Sequence, residues 1–187
     1  SASAASPKEW YRKLAVANFL YHSLGDAAEA EDLTQNVFLQ VYKSAARYRV
    51  TAKFTTWLFT IARNLCLNEL RRRARHPALS LAAPPPELED APARAVPDTR
   101  PDGPVDTLLL RELEAKIQEA LGDLPETQRT AILLYREQDL SYEDIAAVLG
   151  CSLTAVKSLI HRGRETLKRR LKPYLRTGEW SAADPQL

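Results

Sequence analysis

Five side chains near the C-terminal end could do chemistry together: Thr154, Lys157, Ser158, His161 and Arg162. At i, i+3, i+4 spacing they share one face of a helix. Two hydroxyls, an imidazole and two cations suit hydrogen bonding to base edges and phosphate oxygens, not bond breaking. From Cys151 to Arg176 there are eight Lys or Arg against a single acid, Glu165. Elsewhere no paired carboxylates, nucleophile constellation or phosphate-binding loop stands out, so the chain is not expected to be an enzyme. Cys66 and Cys151 stand alone, without CxxC or a His at ligand spacing. Packed, reduced thiols are expected, with neither a metal nor a cofactor.

The five residues need a helix held across another helix. Ser141 is placed to N-cap the first, with Asp144 completing a box of capping type. Ile145, Ala146 and Leu149 form its expected buried side, and Gly150 is the expected left-handed stop. Ser152 caps the second helix after a very short turn and joins the DNA-facing set. Val156 and Ile160, at i, i+4, face back onto the first helix. The stretch reads as a helix-turn-helix ending in a basic helix.

Upstream, Leu33, Val37 and Val41 recur at i, i+4, i+8 with Phe38 and Tyr42 beside them, predicting one amphipathic helix. Its other side carries Asp32, Gln35, Asn36, Leu39 and Lys43. A second helix is expected to open near Thr55 or Thr56, with Trp57, Ile61 and Leu65 inward. Arg63, Asn64, Asn68, Arg71 and Arg72 face outward there. Pro7 to Leu24 also reads as helical, through Trp10, Leu14, Phe19 and Leu20. Further on, Leu108 to Leu121 predicts a helix. The next carries Pro125 at its first position, with Ile132, Leu133 and Tyr135 inward.

Eight of the twelve prolines lie between Pro77 and Pro104, where missing N–H groups and fixed φ argue against regular structure. The expectation is an all-α chain of two small helical domains joined by a flexible, acidic, Pro-rich linker: 1–76, linker 77–105, domain 106–176 and tail 177–187. The net charge of +2 hides basic ends at 1–77 and 151–187 around an acidic middle. Such sorting suits a protein that meets polyanion at two places. No signal peptide and no apolar run of about 18 residues is present, so a soluble, cytoplasmic protein is expected.

The segments EDLTQNVFLQVYK and FTTWLFTIARNLCLNELRRR, followed by LPETQRTAILLYREQDLSYEDIAAVLGCSLTAVKSLIHRGRETL, resemble the extracytoplasmic-function (ECF) sigma factors of the sigma-70 family. The first two resemble that family's second conserved region and the third its fourth, covering roughly residues 26–76 and 108–172. The resemblance implies a subunit that joins core RNA polymerase and directs it to promoter DNA, with an anti-sigma factor as a candidate partner. It implies that the helix with the DLxQ motif docks on the polymerase through Asp32, Gln35, Asn36, Leu39 and Lys43. Asn36 stands where the family usually has an acid. The −10 element would meet Tyr48, Lys53, Arg63, Asn64, Asn68, Arg71 and Arg72. Tyr48 and Asn64 correspond to the pocket for a base flipped from the stack, which needs an aromatic surface and an amide. The −35 element would be read by Ser152, Thr154, Lys157, Ser158, His161 and Arg162. The N-terminal helix begins late relative to the family. The chain lacks Met, so Ser1 is not expected to be the natural start.

A free-standing helix-turn-helix regulator would explain the C-terminal part, yet it gives no use for the DLTQNVF helix or the RRR helix. An RNA-binding protein would need the exposed aromatic sheet or glycine loop of the common RNA modules.

Overall fold

The structure is a computed structural model, and it describes residues 7–48, 52–75, 104–137 and 140–178. Among these are seven α-helices and no strand: α1 (Pro7–Leu24), α2 (Ala27–Ser44), α3 (Phe54–Arg75), α4 (Pro104–Gly122), α5 (Glu126–Tyr135), α6 (Tyr142–Leu149) and α7 (Leu153–Thr177). A short 3₁₀ turn, Ala45–Arg47, follows α2. The expected Pro-rich tether lies outside the described residues except at its end, where Pro104 opens α4 four residues before Leu108.

Local chemistry sets the boundaries. Gly25 takes φ 74° after α1, and the Asp26 side chain then accepts from the Glu29 amide at 2.9 Å to start α2. This left-handed glycine followed by an Asx cap turns the chain sharply, so α1 and α2 pack together. The α5 boundary differs from expectation. Pro125 has extended ψ of 142° and is the N-cap, with Glu126 the first helical residue.

Helices α1, α2 and α3 pack on one another, and α4 to α7 form a second group. The two groups do not stand apart. Helix α3 packs on α6, and α1 packs on α4 and α5. One continuous apolar cluster results, running from Val16, Leu20, Val37 and Leu58 to Leu134, Ile145 and Val156, all fully buried.

Several inner faces differ from the periodic reading. In α3 the buried residues are Thr55, Thr56, Leu58, Phe59, Ala62 and Cys66, while Trp57, Ile61 and Leu65 are only half-buried. A helix packed on α1, α2 and α6 has no single inner stripe, so simple amphipathicity misplaces it. In α2 the buried positions are Ala30, Thr34 and Val37, and Tyr42 is 83% exposed. In α1, Trp10 is exposed, and Ala15, Val16, Phe19 and Leu20 are the core. Tyr135 of α5 is exposed, whereas Ala131 and Leu134 are buried. Val148, not Leu149, completes the buried side of α6.

Candidate DNA and polymerase interfaces

The helix-turn-helix is built as its local sequence dictates. The Ser141 hydroxyl accepts from the Asp144 amide at 3.2 Å, and the Ser141 amide donates to Asp144 Oδ2 at 2.9 Å. This is a closed capping box. Gly150 sits at φ 67°, and Ser152 accepts from the Ala155 amide at 3.2 Å. The two helices bend by 94° at this junction, within the range of the motif. Val156 and Ile160 are buried as expected.

With that side of α7 buried, Ser152, Thr154, Lys157, His161 and Arg162 are exposed and Ser158 is half-buried. The Lys157 ammonium lies 6.0 Å from the centre of the Tyr142 ring. Tyr142 in turn packs at 5.6 Å on Tyr135. Two further cations, Arg164 and Lys168, lie exposed on the same side. Sequence reasoning passed over both, although the spacing 157, 161, 164, 168 was there to find them. Gly163 is buried where α7 crosses α5, and a Cβ there would lie 2.4 Å from Ile132 Cδ1.

The second exposed face belongs to α2. Asp32, Gln35, Asn36 and Lys43 are exposed, and Leu39 is 54% exposed. Such an apolar residue among polar ones suits a protein-binding surface. A shallow groove between α2 and α3 is lined by Glu29, Asp32, Leu33, Asn36, Glu69 and Arg72. Arg72, expected to face outward, grips Glu69 through Nε at 2.9 Å and Nη2 at 2.6 Å. The Arg72 guanidinium holds the Glu69 carboxyl below its usual range.

The third group, on α3 and the loop before it, is divided. Asn64, Asn68 and Arg71 are exposed. Tyr48 gives its hydroxyl to the Ala52 carbonyl at 2.8 Å, and its ring rests 4.7 Å from Trp57. Phe54 abuts both rings, and Arg12 lies 5.0 Å above Phe54. Asn64 follows Trp57 by two helical turns, about 10 Å along the axis, so the expected Tyr48–Asn64 pocket would be elongated.

Lys53 is exposed but already paired, and Arg63 departs from expectation. The Lys53 ammonium is 2.8 Å from Asp144 Oδ2, and the Thr56 hydroxyl donates to Asp144 Oδ1 at 2.8 Å. Burial pushes the Asp144 carboxyl up, but Lys53, the Ser141 amide and Thr56 outweigh it and hold the pKa at about 2. Arg63 does not face outward. Its side chain is only 15% exposed, lying 3.6 Å from Glu126 and 3.4 Å from the Val148 carbonyl. Arg129 and Gln118 reach back to the Ser23 and His22 carbonyls at 3.3 Å each.

Residues 11–76 match sigma-70 region 2, and residues 114–167 match sigma-70 region 4. The chain is 38% identical over 152 residues to the RNA polymerase sigma-H factor of Pseudomonas aeruginosa, covering 81% of this chain and 77% of that one. It is 33% identical over 152 residues to the ECF RNA polymerase sigma factor SigW of Bacillus subtilis, covering 81% and 80%. The sigma factor RpoE of Bartonella quintana, solved in complex with the anti-sigma factor NepR, superposes with a TM-score of 0.67 at 26% identity. That match covers 88% of this chain and 94% of the other. CnrH, solved with the cytosolic domain of CnrY, shares the fold at 22% identity and a TM-score of 0.59. The chain belongs to the ECF sigma factors of the sigma-70 family. It is an alternative sigma factor, and the reading as a free-standing regulator is not favoured.

Proposed function

We propose that this chain docks on core RNA polymerase through the exposed face of α2, with Asp32, Gln35, Asn36, Leu39 and Lys43 as the contact set. Residues 106–176 then act as the −35-reading unit, through Ser152, Thr154, Lys157, Ser158, His161 and Arg162. Residues 1–76 act on the −10 element through Tyr48, Lys53, Arg63, Asn64, Asn68, Arg71 and Arg72, and 77–105 serve as the tether. The chain works in the cytoplasm, carries no catalytic site of its own, and takes an anti-sigma factor as a further partner. The observation that carries this reading is one chain presenting both region signatures, with the basic face of α7 and the polar–apolar face of α2 open to solvent.

Two promoter elements about 25 base pairs apart are separated by roughly 85 Å at 3.4 Å per step. A compact chain of this length has a radius of gyration of about 16 Å, so the closed arrangement cannot touch both. Opening is therefore required for one chain to reach both. Reconstitution with core polymerase followed by promoter-dependent transcription tests the reading. Absence of the chain from the polymerase fraction on co-purification would overturn it.

A further inference from the structure

The contact at the start of α3 has the chemistry of a phosphate site. Lys53 lies just before α3 and Thr56 lies in its first turn. An ammonium, a hydroxyl and a helix N-terminus are what DNA-binding proteins use to hold a backbone phosphate. The group seated there is the carboxylate of Asp144, one oxygen on Lys53 and the other on Thr56, both at 2.8 Å. Two turns along α3, Arg63 meets Glu126 and the Val148 carbonyl at long range. Its buried Nε has no hydrogen-bond partner among the described residues. A buried guanidinium so poorly satisfied is costly where it sits.

The covering element is the first helix of the reading motif. In such motifs that helix crosses the DNA backbone while the second enters the groove. Here its N-terminal edge, Ser141 to Asp144, lies against α3. One contact therefore occupies DNA-facing positions on both units.

We propose that Asp144 is an intramolecular stand-in for a DNA phosphate, latching α6 onto the start of α3 so that the Lys53–Thr56 site can hold either Asp144 or nucleic acid, but not both. The inference rests on the reading of Lys53 as a DNA contact given above. The same carboxylate closes the capping box of α6, so the latch needs no residue the fold does not already require. Opening exchanges one anion for another at Lys53, which keeps the exchange nearly balanced and sensitive to salt.

The test uses the full chain carrying Cys151→Ser, with fluorophores on Gln40→Cys and Lys172→Cys, both exposed positions. Single-molecule energy transfer gives the open fraction. Anisotropy of a labelled 15-nucleotide random single-stranded DNA gives binding. Asp144→Asn keeps an acceptor for the Ser141 amide but loses the charge. Thr56→Val is isosteric and leaves the capping box untouched. Each should raise the open fraction on the order of fivefold, but only Asp144→Asn, which leaves the phosphate donors intact, should tighten DNA binding to match. Lys53→Gln should raise the open fraction equally without tightening DNA binding. An open fraction unmoved by Thr56→Val overturns the latch, whatever the DNA result and even where Asp144→Asn fails to fold. If the open fraction rises but Lys53→Gln binds DNA as well as Asp144→Asn does, the latch survives as a plain ion pair. The DNA reading of Lys53, and the phosphate role with it, then falls.

Discussion

The outer faces of α7 and α3 carry similar chemistry and meet different fates. On α7 Thr154, Lys157, His161 and Arg162 stand in solvent, with Ser158 half-buried. At the start of α3 and along it, Thr56 and Arg63 are covered by Asp144, Glu126 and the end of α6, and Lys53, though still exposed, is paired with Asp144. Residue type does not separate them. The difference is that one face is reached by acids of its own chain and the other is not. A polar surface residue is available for a ligand only when no internal partner competes for it, and that competition is settled by tertiary packing.

The largest effect is expected where an open face meets protein. Asp32→Lys with Gln35→Ala and Leu39→Ala should weaken core polymerase binding by about 2–4 kcal/mol while the helical circular dichroism is kept. Affinity unchanged in a pull-down titration would mean that α2 is an exposed face without a partner.

Next come the two helices proposed to face DNA. Lys157→Ala or His161→Ala should change which −35 sequences a randomised library yields, by about 1–3 kcal/mol per base read. Asn64→Ala should cost a similar amount at the −10 element, seen as weaker permanganate reactivity of the open complex. If the α7 variants lower affinity for every sequence equally, α7 contacts only the backbone.

An intermediate effect tests the closure itself. Burial lowers the pKa of His22, whose Nδ1 lies 2.8 Å from Gln118 Oε1 across the junction of α1 and α4. Arg136 and Glu114 act on it in opposite directions. A folded-state value below the unfolded one means the stabilisation is complete above about pH 6.5 and drains away as pH falls through the lowered value. The closed population should therefore shrink on mild acidification, and His22→Gln should abolish that dependence. Asp144 follows the same sign in a lower window, between its usual 3.8 and about 2.

The smallest effect separates neighbours on α7. Arg169 is exposed, while Arg170 is paired with Asp123 at 2.9 Å and lies 3.8 Å from Glu119. Arg169→Ala should reduce the salt slope of DNA binding by about one. Arg170→Ala should leave the slope alone, since its guanidinium is engaged by Asp123.

What could be read in advance follows the range of the forces involved. The caps at Ser141, Gly150 and Ser152 rest on residues three or four apart, so the boundaries of the helix-turn-helix were legible to the residue, though the buried side of its first helix was only partly so. The open faces of α2 and α7 follow from the burial of Val37, Val156 and Ile160, which a single amphipathic stripe announces. Helix α3 was legible as a helix and not as a set of faces, since α1, α2 and α6 surround it. The pairs Lys53–Asp144 and Arg63–Glu126 span 91 and 63 positions respectively, and no local rule connects such distant residues. Arg72 is the reverse case: its partner Glu69 is three residues away and was visible at i, i+3 spacing.

The contact between Gly163 and Ile132 makes α7 a balance beam. From that point α7 extends about 15 Å to its N-terminal tip and about 21 Å to its basic tail, at ~1.5 Å per residue. Helix α5 is the knife-edge beneath it, because the missing Cβ lets the two axes sit at their closest. A side chain at position 163 would act as a shim, and a tilt of about five degrees there would swing the tip by more than an ångström, enough to misalign a hydrogen bond. The aim of the residues proposed to read DNA would thus be governed from a position buried against α5.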